Sequence, residues 1–264
     1  MIMPNQQNGQ DGQGFLWLGT ERGYYRGPLS TSEKRVFGAH VLYVAAEGRF
    51  QAVIGGSRLT GDRHWVIAPA YQAHTMLCST PNQPFLAYVI EPEACVTPQL
   101  MTALESWCAR RNQAQRVDGL RRLERRIKRD TATDTDRLMF GRSLARRPLD
   151  PRIDQALQVL RENPKLPHAA GCLAESCELS RSRFLHLFRE ETGLSFRRFR
   201  AWRRARHVMA RMGLCSNLTR LAVDLGYPDA THFSHSVRRT YGLKATDLRA
   251  ILRRTELRID SRVA

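Results

Sequence analysis

Residues 221–249 read LAVDLGYPDATHFSHSVRRTYGLKATDLR, and this stretch decides the fold of the second half of the chain. Its two helix-like halves meet at LGYPD, residues 225–229. Gly226 can adopt the left-handed conformation that ends a helix, Pro228 cannot continue that helix, and Asp229 can cap the next one. The pattern therefore predicts a short helix, a sharp turn and a second helix.

An earlier stretch repeats this pattern. Residues 173–200 read LAESCELSRSRFLHLFREETGLSFRRFR, and their apolar positions and closing Gly193 align with those of the later copy. Ser180 is the expected cap of the second helix, and Glu178 stands where the later copy has Gly226. Two copies of a helix, a tight turn and a helix predict two helix-turn-helix units, a form whose second helix enters the major groove of DNA.

The segment between the copies, residues 195–213, has the pattern of one long helix. Phe196, Phe199 and Trp202 recur at helical spacing and are expected to be buried core. The arginines of this helix are expected either to contact DNA phosphates or to be solvated.

Positive charge is distributed unevenly along the 264 residues. The formal net charge is +17, but residues 1–100 carry none of it, because they contain seven Lys or Arg and seven Asp or Glu. The last 164 residues contain 35 basic and 18 acidic side chains. This asymmetry indicates a neutral domain followed by one that meets a polyanion, either nucleic acid or an acidic membrane surface. The alternative is a well-solvated basic surface.

The first part of the chain has the pattern of a small β domain. From Phe15 to about Glu91, short runs rich in β-branched and aromatic residues are separated by Gly, Pro and Asn. Runs of this kind at close spacing predict a sandwich or a barrel. Residues 1–14 are polar and rich in Gly and Gln, and are expected to be a disordered lead-in.

Helical spacing begins after Pro98. Two segments, residues 98–111 and 117–130, carry apolar side chains every three or four positions. Two arrangements remain open for them: pairing across a homodimer, or packing against their own β domain. A further helix is predicted from Pro151, with Asp150 as its cap.

Several classes of protein receive no support from the sequence. The six cysteines form no CxxC pair and have no metal-like spacing with histidine, so we expect reduced thiols in a cytoplasmic protein, with no metal and no cofactor. No run approaches the roughly 18 apolar residues of a membrane-spanning helix, so no membrane partner is expected. The motifs of hydrolases, nucleotide-binding enzymes and zinc peptidases are missing, so no enzyme activity is expected.

Residues 151–254 resemble the DNA-binding domain of the AraC/XylS family of bacterial transcription regulators. The resemblance rests on LGYPDATHFSHSVRRTYG in the second copy and LSRSRFLHLFREETGLSF in the first. The N-terminal part resembles the family's cupin-like sensor domain through GDRHWVIAPAYQAHTM, with His74 at the family's histidine position. His40 has no neighbouring His in the pattern that metal-binding cupins need.

The resemblance also implies which residues meet DNA. In the first copy the base-facing positions are Ser182, Leu185 and His186, with Arg181 and Arg183 beside them. In the second copy they are Thr231, Ser234 and His235. Phosphate contacts are expected at Arg189, Arg238 and Arg239. Ser and Thr can form hydrogen bonds with the edges of several bases, and Arg can form two hydrogen bonds with guanine. Phosphate contacts, in contrast, position the protein without specifying sequence.

The complete prediction is an α+β chain. It comprises a cupin-like β-barrel or sandwich (15–95), a helical linker (96–149), an all-α domain of two helix-turn-helix subdomains joined by a long helix (150–254), and a tail (255–264). The implied function is sequence-specific DNA-binding regulation of transcription in the bacterial cytoplasm, associated with the nucleoid. The implied partners are double-stranded DNA, RNA polymerase and an unidentified small-molecule effector. The alternatives are a cupin-type enzyme and a non-specific basic nucleic-acid-binding protein.

Overall fold

The computed structural model describes residues 14–28, 33–59, 63–78, 84–162 and 169–260. The expected disordered lead-in, apart from Gly14, lies outside these described residues. Gly14 itself begins the first strand.

Two sheets form the first part of the molecule, as the strand-like runs predict. Their strands are β1 (Gly14–Leu18), β2 (Arg22–Pro28), β3 (His40–Ala45), β4 (Phe50–Ile54), β5 (Ser57–Arg58), β6 (Trp65–Ala68), β7 (His74–Cys78), β8 (Pro84–Ile90) and β9 (Thr255–Ile259). The larger sheet has the order β6-β3-β8-β2-β1-β9, and the smaller has the order β5-β4-β7. Neighbouring strands are antiparallel except β1 and β9.

Along each strand of the larger sheet, successive side chains point to opposite faces. Apolar side chains therefore lie on both faces, and both faces are covered. On β3, Val41 and Tyr43 pack against the smaller sheet, whereas Leu42 and Val44 pack against helices on the other face. On β1, Leu16 and Leu18 pack against helices of the second half of the chain. The six-stranded sheet is therefore the central layer of the molecule.

Three helices cover the face of the larger sheet that lies away from the smaller one. They are α1 (Thr97–Ala109), α2 (Gln113–Arg129) and α3 (Thr135–Phe140). Leu120, Leu123 and Ile127 of α2 are at most 1% exposed because they pack against this sheet. Of the two arrangements left open by the sequence, packing within the chain is therefore the one observed. No helix in the described ranges is long and apolar enough to cross a bilayer.

The remaining helices form the two helix-turn-helix units and their connection. They are α4 (Pro151–Glu162), α5 (Ala169–Ser176), α6 (Arg181–Thr192), α7 (Phe196–Met212), α8 (Leu218–Asp224), α9 (Ala230–Tyr241) and α10 (Ala245–Arg253). The units are α5–α6 and α8–α9, and α7 is the predicted long connection. Glu178 and Gly226 both adopt positive φ angles, 54° and 72°, so the two turns share the left-handed conformation that the repeat predicts.

The segment predicted to be a tail from residue 255 begins with a strand. β9 pairs in parallel with β1, from Gly14 opposite Thr255 to Leu18 opposite Ile259. Five residues of mixed polarity give little strand signal by themselves, and the open edge of β1 supplies the partner that makes them a strand. The C-terminal residues thus complete the N-terminal sheet.

Candidate DNA interface

The two second helices of the repeat, α6 and α9, begin at the caps that the sequence predicts. The Ser180 side chain accepts a hydrogen bond from the backbone N–H of Arg183 at 3.3 Å. The Asp229 side chain accepts one from the backbone N–H of His232 at 2.8 Å. These caps satisfy donors that a helix start leaves without partners and fix the direction in which each helix leaves its turn.

Each of these helices buries one face and presents the other to solvent. Phe184 and Phe188 of α6 are fully buried, as are Phe233 and Val237 of α9. The predicted base-facing side chains are all exposed except Leu185, which is half-buried against the core of its own unit. The predicted phosphate-contacting arginines are exposed too: Arg189, Arg238 and Arg239.

The exposed face of α6 carries an acidic residue that contacts two of its predicted DNA-facing side chains. His186 Nε2 lies 3.1 Å from Oε1 of Glu190, and Arg183 Nη1 lies 4.0 Å from Oε2 of the same residue. The predicted base-facing side chains of α9, Thr231, Ser234 and His235, have no such acidic partner among the described contacts, although Asp229 pairs with the neighbouring His232. The two helices therefore offer chemically different surfaces to DNA.

Arg238 of α9 is held by the first part of the chain. Its Nε donates to Oε2 of Glu33 at 2.6 Å, and its Nη2 donates to the other carboxylate oxygen. The Glu33 carboxylate thus occupies the guanidinium fork that a DNA phosphate would need. Since both side chains are more than half exposed, solvent screens this pair.

The segment around Glu33 docks on the C-terminal end of α9. The backbone N–H of Val36 donates to the carbonyl of Arg239 at 3.1 Å, and the Phe37 ring lies 5.8 Å from that of Tyr241. Gly242 permits the close approach, because a Cβ there would lie 2.5 Å from the Glu33 carbonyl oxygen. Its φ of 67° also belongs to the left-handed region that favours glycine.

Two arginines of α7 are buried, contrary to the expectation that they contact phosphates or are solvated. Arg203 and Arg206 are 1% and 4% exposed. Arg206 Nη1 donates to Oε1 of Glu91, just after β8, and Trp202 Nε1 donates to its Oε2 at 2.7 Å. The helix that connects the two units is therefore fixed to the central sheet by a buried carboxylate.

Burial also shifts the protonation of groups around this attachment. It lowers the pKa of Arg203 to about 10, with the neighbouring Arg206 acting in the same direction. Burial and then the charge of Glu91 raise the pKa of Glu93 to about 7. Neither Glu93 oxygen has a hydrogen-bond partner in the described structure, although Arg161 Nη2 lies 3.6 Å from Oε1.

A cavity of about 130 Å³ lies between the central sheet and the second helix-turn-helix unit. Its lining is almost entirely apolar, with side chains from both parts of the chain: Tyr25, Phe37, Phe85, Trp202, Tyr241 and Leu248. Arg35 also lines it, is 4% exposed, and has no hydrogen-bond partner at Nε or Nη2 in the described structure. The Tyr43 hydroxyl is a hydrogen-bond partner of the Arg35 guanidinium, and the two nitrogens without partners are costly to bury.

His74, the histidine that carries the resemblance to cupins, lies inside the β part. Its Nε2 is 2.9 Å from the Tyr43 hydroxyl and its Nδ1 is 3.1 Å from the Gln72 carbonyl. Burial lowers its pKa to about 4, so it is neutral at pH 7. In the described chain, no three His, Cys, Asp or Glu side chains lie together as a metal site would need.

Sequence reasoning missed the residues between the two parts of the chain, chiefly Glu33, Arg35 and Glu91. They occur in strand-like or loop segments of neutral overall charge, far in sequence from α7 and α9. Their one signal is that Glu91 ends an apolar strand and is therefore a charge next to buried residues. Their partners are set by the fold.

Comparison with known proteins agrees with the double helix-turn-helix geometry. A family described as a helix-turn-helix domain matches residues 173–251, which span both units. Residues 173–251 are a helix-turn-helix domain of that family, and the chain is a DNA-binding regulator. No curated protein matches its sequence.

Solved structures resemble the regulator over most of its length. ToxT from Vibrio cholerae O395 is 9% identical with a TM-score of 0.57, and the match covers 88% of this chain and 98% of that one. ToxT from the same strain bound to (E)-4-(8-methylnaphthalen-1-yl)but-3-enoic acid is 8% identical with a TM-score of 0.52, covering 88% and 99%. Unsaturated fatty acid bound ToxT from strain SCE256 is 9% identical with a TM-score of 0.50, covering 88% and 96%. At these identities, the likeness shows a shared fold.

Proposed function

We propose that this AraC/XylS regulator reads one asymmetric DNA site and responds to a compact apolar carboxylic acid. The observation that carries the ligand class is Arg35, a buried guanidinium with unpaired nitrogens in an otherwise apolar cavity. A cavity of about 130 Å³ suits a ligand on the scale of an aromatic ring, since a 150 Å³ apolar cavity holds benzene. ToxT, which shares the fold, is known with an unsaturated fatty acid bound.

The base-reading residues proposed for the DNA site follow the two exposed helix faces. The first box would be read by α6, through Ser182, His186 and the neighbouring arginines. The second would be read by α9, through Thr231, Ser234 and His235. Because one chain carries both readers and they differ, a monomer is sufficient to recognise one asymmetric site.

The remaining parts of the proposal concern partners and location. We place the regulator in the bacterial cytoplasm, on nucleoid DNA, with RNA polymerase as the protein partner that the family resemblance implies. It has no catalytic role in this proposal. The β part serves as a sensor and not as a cupin-type enzyme, because His74 is fully used in internal hydrogen bonds.

Selection from a random DNA library tests the DNA part of the proposal. The full chain is expected to enrich duplexes that share two short boxes about one helical turn apart. Enrichment of no common sequence would support the rival, a non-specific basic nucleic-acid-binding protein.

Calorimetric titration with matched small molecules tests the ligand class. Compact aromatic and aliphatic acids are expected to bind, and their primary amides are expected to bind at least tenfold more weakly because they lack the charge that Arg35 attracts. The variant Arg35→Met is expected to lose the preference for the acid while still binding the amide. Equal affinity of acid and amide for the unmodified chain would contradict the proposal.

A further inference from the structure

Much of the positive charge of this regulator lies outside its DNA-binding domain. Residues 150–264 contain 22 basic and 12 acidic side chains, a net charge of +10. Residues 101–149, which form α1 to α3, contain 13 basic and 6 acidic side chains, a net charge of +7. DNA reading by α6 and α9 does not explain the positive charge of residues 101–149.

The charge is concentrated on the outer face of α2. The inner face is buried against the sheet through Leu120, Leu123 and Ile127. Six cationic side chains on the other face are all exposed: Arg121, Arg122, Arg125, Arg126, Lys128 and Arg129. At ~1.5 Å per residue they extend over about 12 Å of helix.

Few acidic groups neutralise this face. Asp118 lies 2.8 Å from Arg122 and 3.8 Å from Arg125, and Lys128 lies 3.0 Å from Glu256 and 3.4 Å from Glu124. The other three cations have no acidic partner among the described residues: Arg121, Arg126 and Arg129. Cations in the last turn favour the negative end of the helix dipole, but that explanation does not extend to the arginines in the middle of α2.

The outer face of α2 and the reading helix α9 lie on opposite sides of the central sheet. Phe15 and Trp17 of β1 point toward α1 and α2, whereas Leu16 and Leu18 point toward the core that contains α7 to α10. A straight duplex bound to α9 therefore cannot reach the outer face of α2. A polyanion held there must be a different segment.

We propose that the outer face of α2 is a second DNA-binding surface, which holds the phosphate backbone of a duplex segment other than the one that α6 and α9 read. Five of the six cations are arginines, whose planar forks match phosphate oxygens. A bound regulator is surrounded by DNA, which makes duplex DNA the nearest polyanion. The face has no exposed apolar residue to insert into a membrane, and like charge opposes pairing of two α2 helices.

A two-duplex capture assay tests this surface. The assay depends on the proposed function only for binding of the first duplex. A duplex selected from a random library is immobilised and saturated with the full chain. A labelled 30-bp duplex of unrelated sequence is then added. The unmodified chain is expected to capture this duplex at 50 mM salt. At 200 mM its affinity for the duplex is expected to be about 40-fold lower, because three phosphate contacts release counterions on binding.

The decisive variant removes the three cations without acidic partners, as Arg121→Gln, Arg126→Gln and Arg129→Gln together. It is expected to capture the labelled duplex at least tenfold less well. The matched control is Arg49→Gln, Arg58→Gln and Arg63→Gln, which removes three exposed cations beside the smaller sheet. Both triple variants are expected to bind the first duplex equally well, and the control is expected to capture the second duplex like the unmodified chain.

The outcomes separate this inference from the proposed function. A chain that binds the first duplex but captures no second one contradicts the inference alone and leaves an acidic protein as the partner of α2. Equal capture by the two triple variants would also overturn it. A chain that binds neither duplex contradicts the proposed function as well.

Discussion

At the scale of single residues, two carboxylates at the end of the central sheet have opposite surroundings. Glu91 is fully buried but accepts hydrogen bonds from Trp202 and Arg206. Glu93 is 3% exposed and has no hydrogen-bond partner in the described structure. Glu91 therefore holds α7 to the sheet through these hydrogen bonds, whereas burial raises the pKa of Glu93 and favours its neutral form.

Replacing the paired carboxylate is expected to destabilise the whole fold. The variant Glu91→Gln leaves Arg203 and Arg206 buried without their counter-charge, which costs about 3–5 kcal/mol of unfolding free energy for a broken buried pair. Urea unfolding followed by circular dichroism measures the loss. The control Glu105→Gln removes an exposed acid of α1 and is expected to change stability by less than about 0.5 kcal/mol. Equal stability of the two variants would contradict the role given to Glu91.

Replacing Glu93, which has no hydrogen-bond partner in the described structure, is expected to have a pH-dependent effect. The pKa of Glu93 is raised to about 7 in the folded chain from an ordinary value of 4.5. Between these values only the folded chain keeps the proton, so the stabilisation of the neutral acid is lost as pH rises. Glu93→Gln cannot ionise, and its stability relative to the unmodified chain is expected to improve by about 3 kcal/mol between pH 4 and pH 8. A difference that does not change with pH in thermal unfolding would show that Glu93 is ionised when folded.

At the scale of elements, α6 and α9, which we propose to read DNA, have the same backbone conformation but different exposed side chains. The connecting helix α7 has 17 residues, which at ~1.5 Å each span about 26 Å. Successive major grooves on one face of DNA are about 34 Å apart. The offset of the flanking helices can supply the difference, so the units are suited to two neighbouring grooves.

Substitutions in the two helices are expected to affect different boxes. Thr231→Ala with His235→Ala should relax preference in one box, and Ser182→Ala with His186→Ala in the other, by roughly 1–3 kcal/mol per base-specific contact. Arg189→Ala is the control, because loss of a phosphate contact weakens binding to all sequences and reduces the salt slope by about one. Footprinting of selected duplexes separates these effects. If both pairs altered the same base pairs, the two-reader arrangement would be wrong.

The contact between Glu33 and α9 is expected to restrain DNA binding. Glu33→Gln frees the Arg238 guanidinium for phosphate, and since the ion pair is exposed the gain is expected to be small, about two- to fivefold in affinity for a random duplex. Fluorescence anisotropy at 50 mM salt measures it. Glu105→Gln makes the same change of charge on α1 and is expected to leave the affinity unchanged. A gain of the same size in both variants would assign the effect to net charge.

At the scale of the whole molecule, the cavity lies where the two parts of the chain meet. Phe37 and Phe85 come from one wall, and Trp202 and Tyr241 from the other. A ligand that touches both walls stabilises the arrangement in which Glu33 holds Arg238, because it binds that arrangement better than one in which the walls separate. If the proposed acid binds in this cavity, we expect ligand binding and DNA binding to be coupled.

This coupling is expected to be negative and reciprocal. A compact apolar acid found by titration should weaken binding to the selected duplex, and the duplex should weaken binding of the acid by the same factor. Anisotropy titrations of the DNA with and without the acid, and calorimetry of the acid with and without the DNA, measure the two factors. Arg35→Met, which is expected to bind the acid more weakly, should show this coupling only at higher concentrations of the acid. Tighter DNA binding in the presence of the acid would place the ligand in an open arrangement instead.

The sequence by itself determined every feature that depends on neighbouring residues. The turn at Gly226 and Asp229, its counterpart at Glu178 and the length of α7 follow from local backbone preferences and helical spacing, which a short stretch contains completely. The same holds for the exposed faces of α6 and α9. Burial of Phe184 and Phe233 fixes which side of each helix remains outside.

Only the tertiary structure decided what depends on residues far apart in the chain. β9 is a strand because β1 offers an open edge, and Arg203 and Arg206 are buried because Glu91 meets them across more than 110 residues. In the same way, the fold places Glu33 beside Arg238 of α9 and Arg35 in the lining of the cavity. A charged side chain specifies that it needs a partner or solvent, but which of these it receives is settled by the packing of the whole molecule.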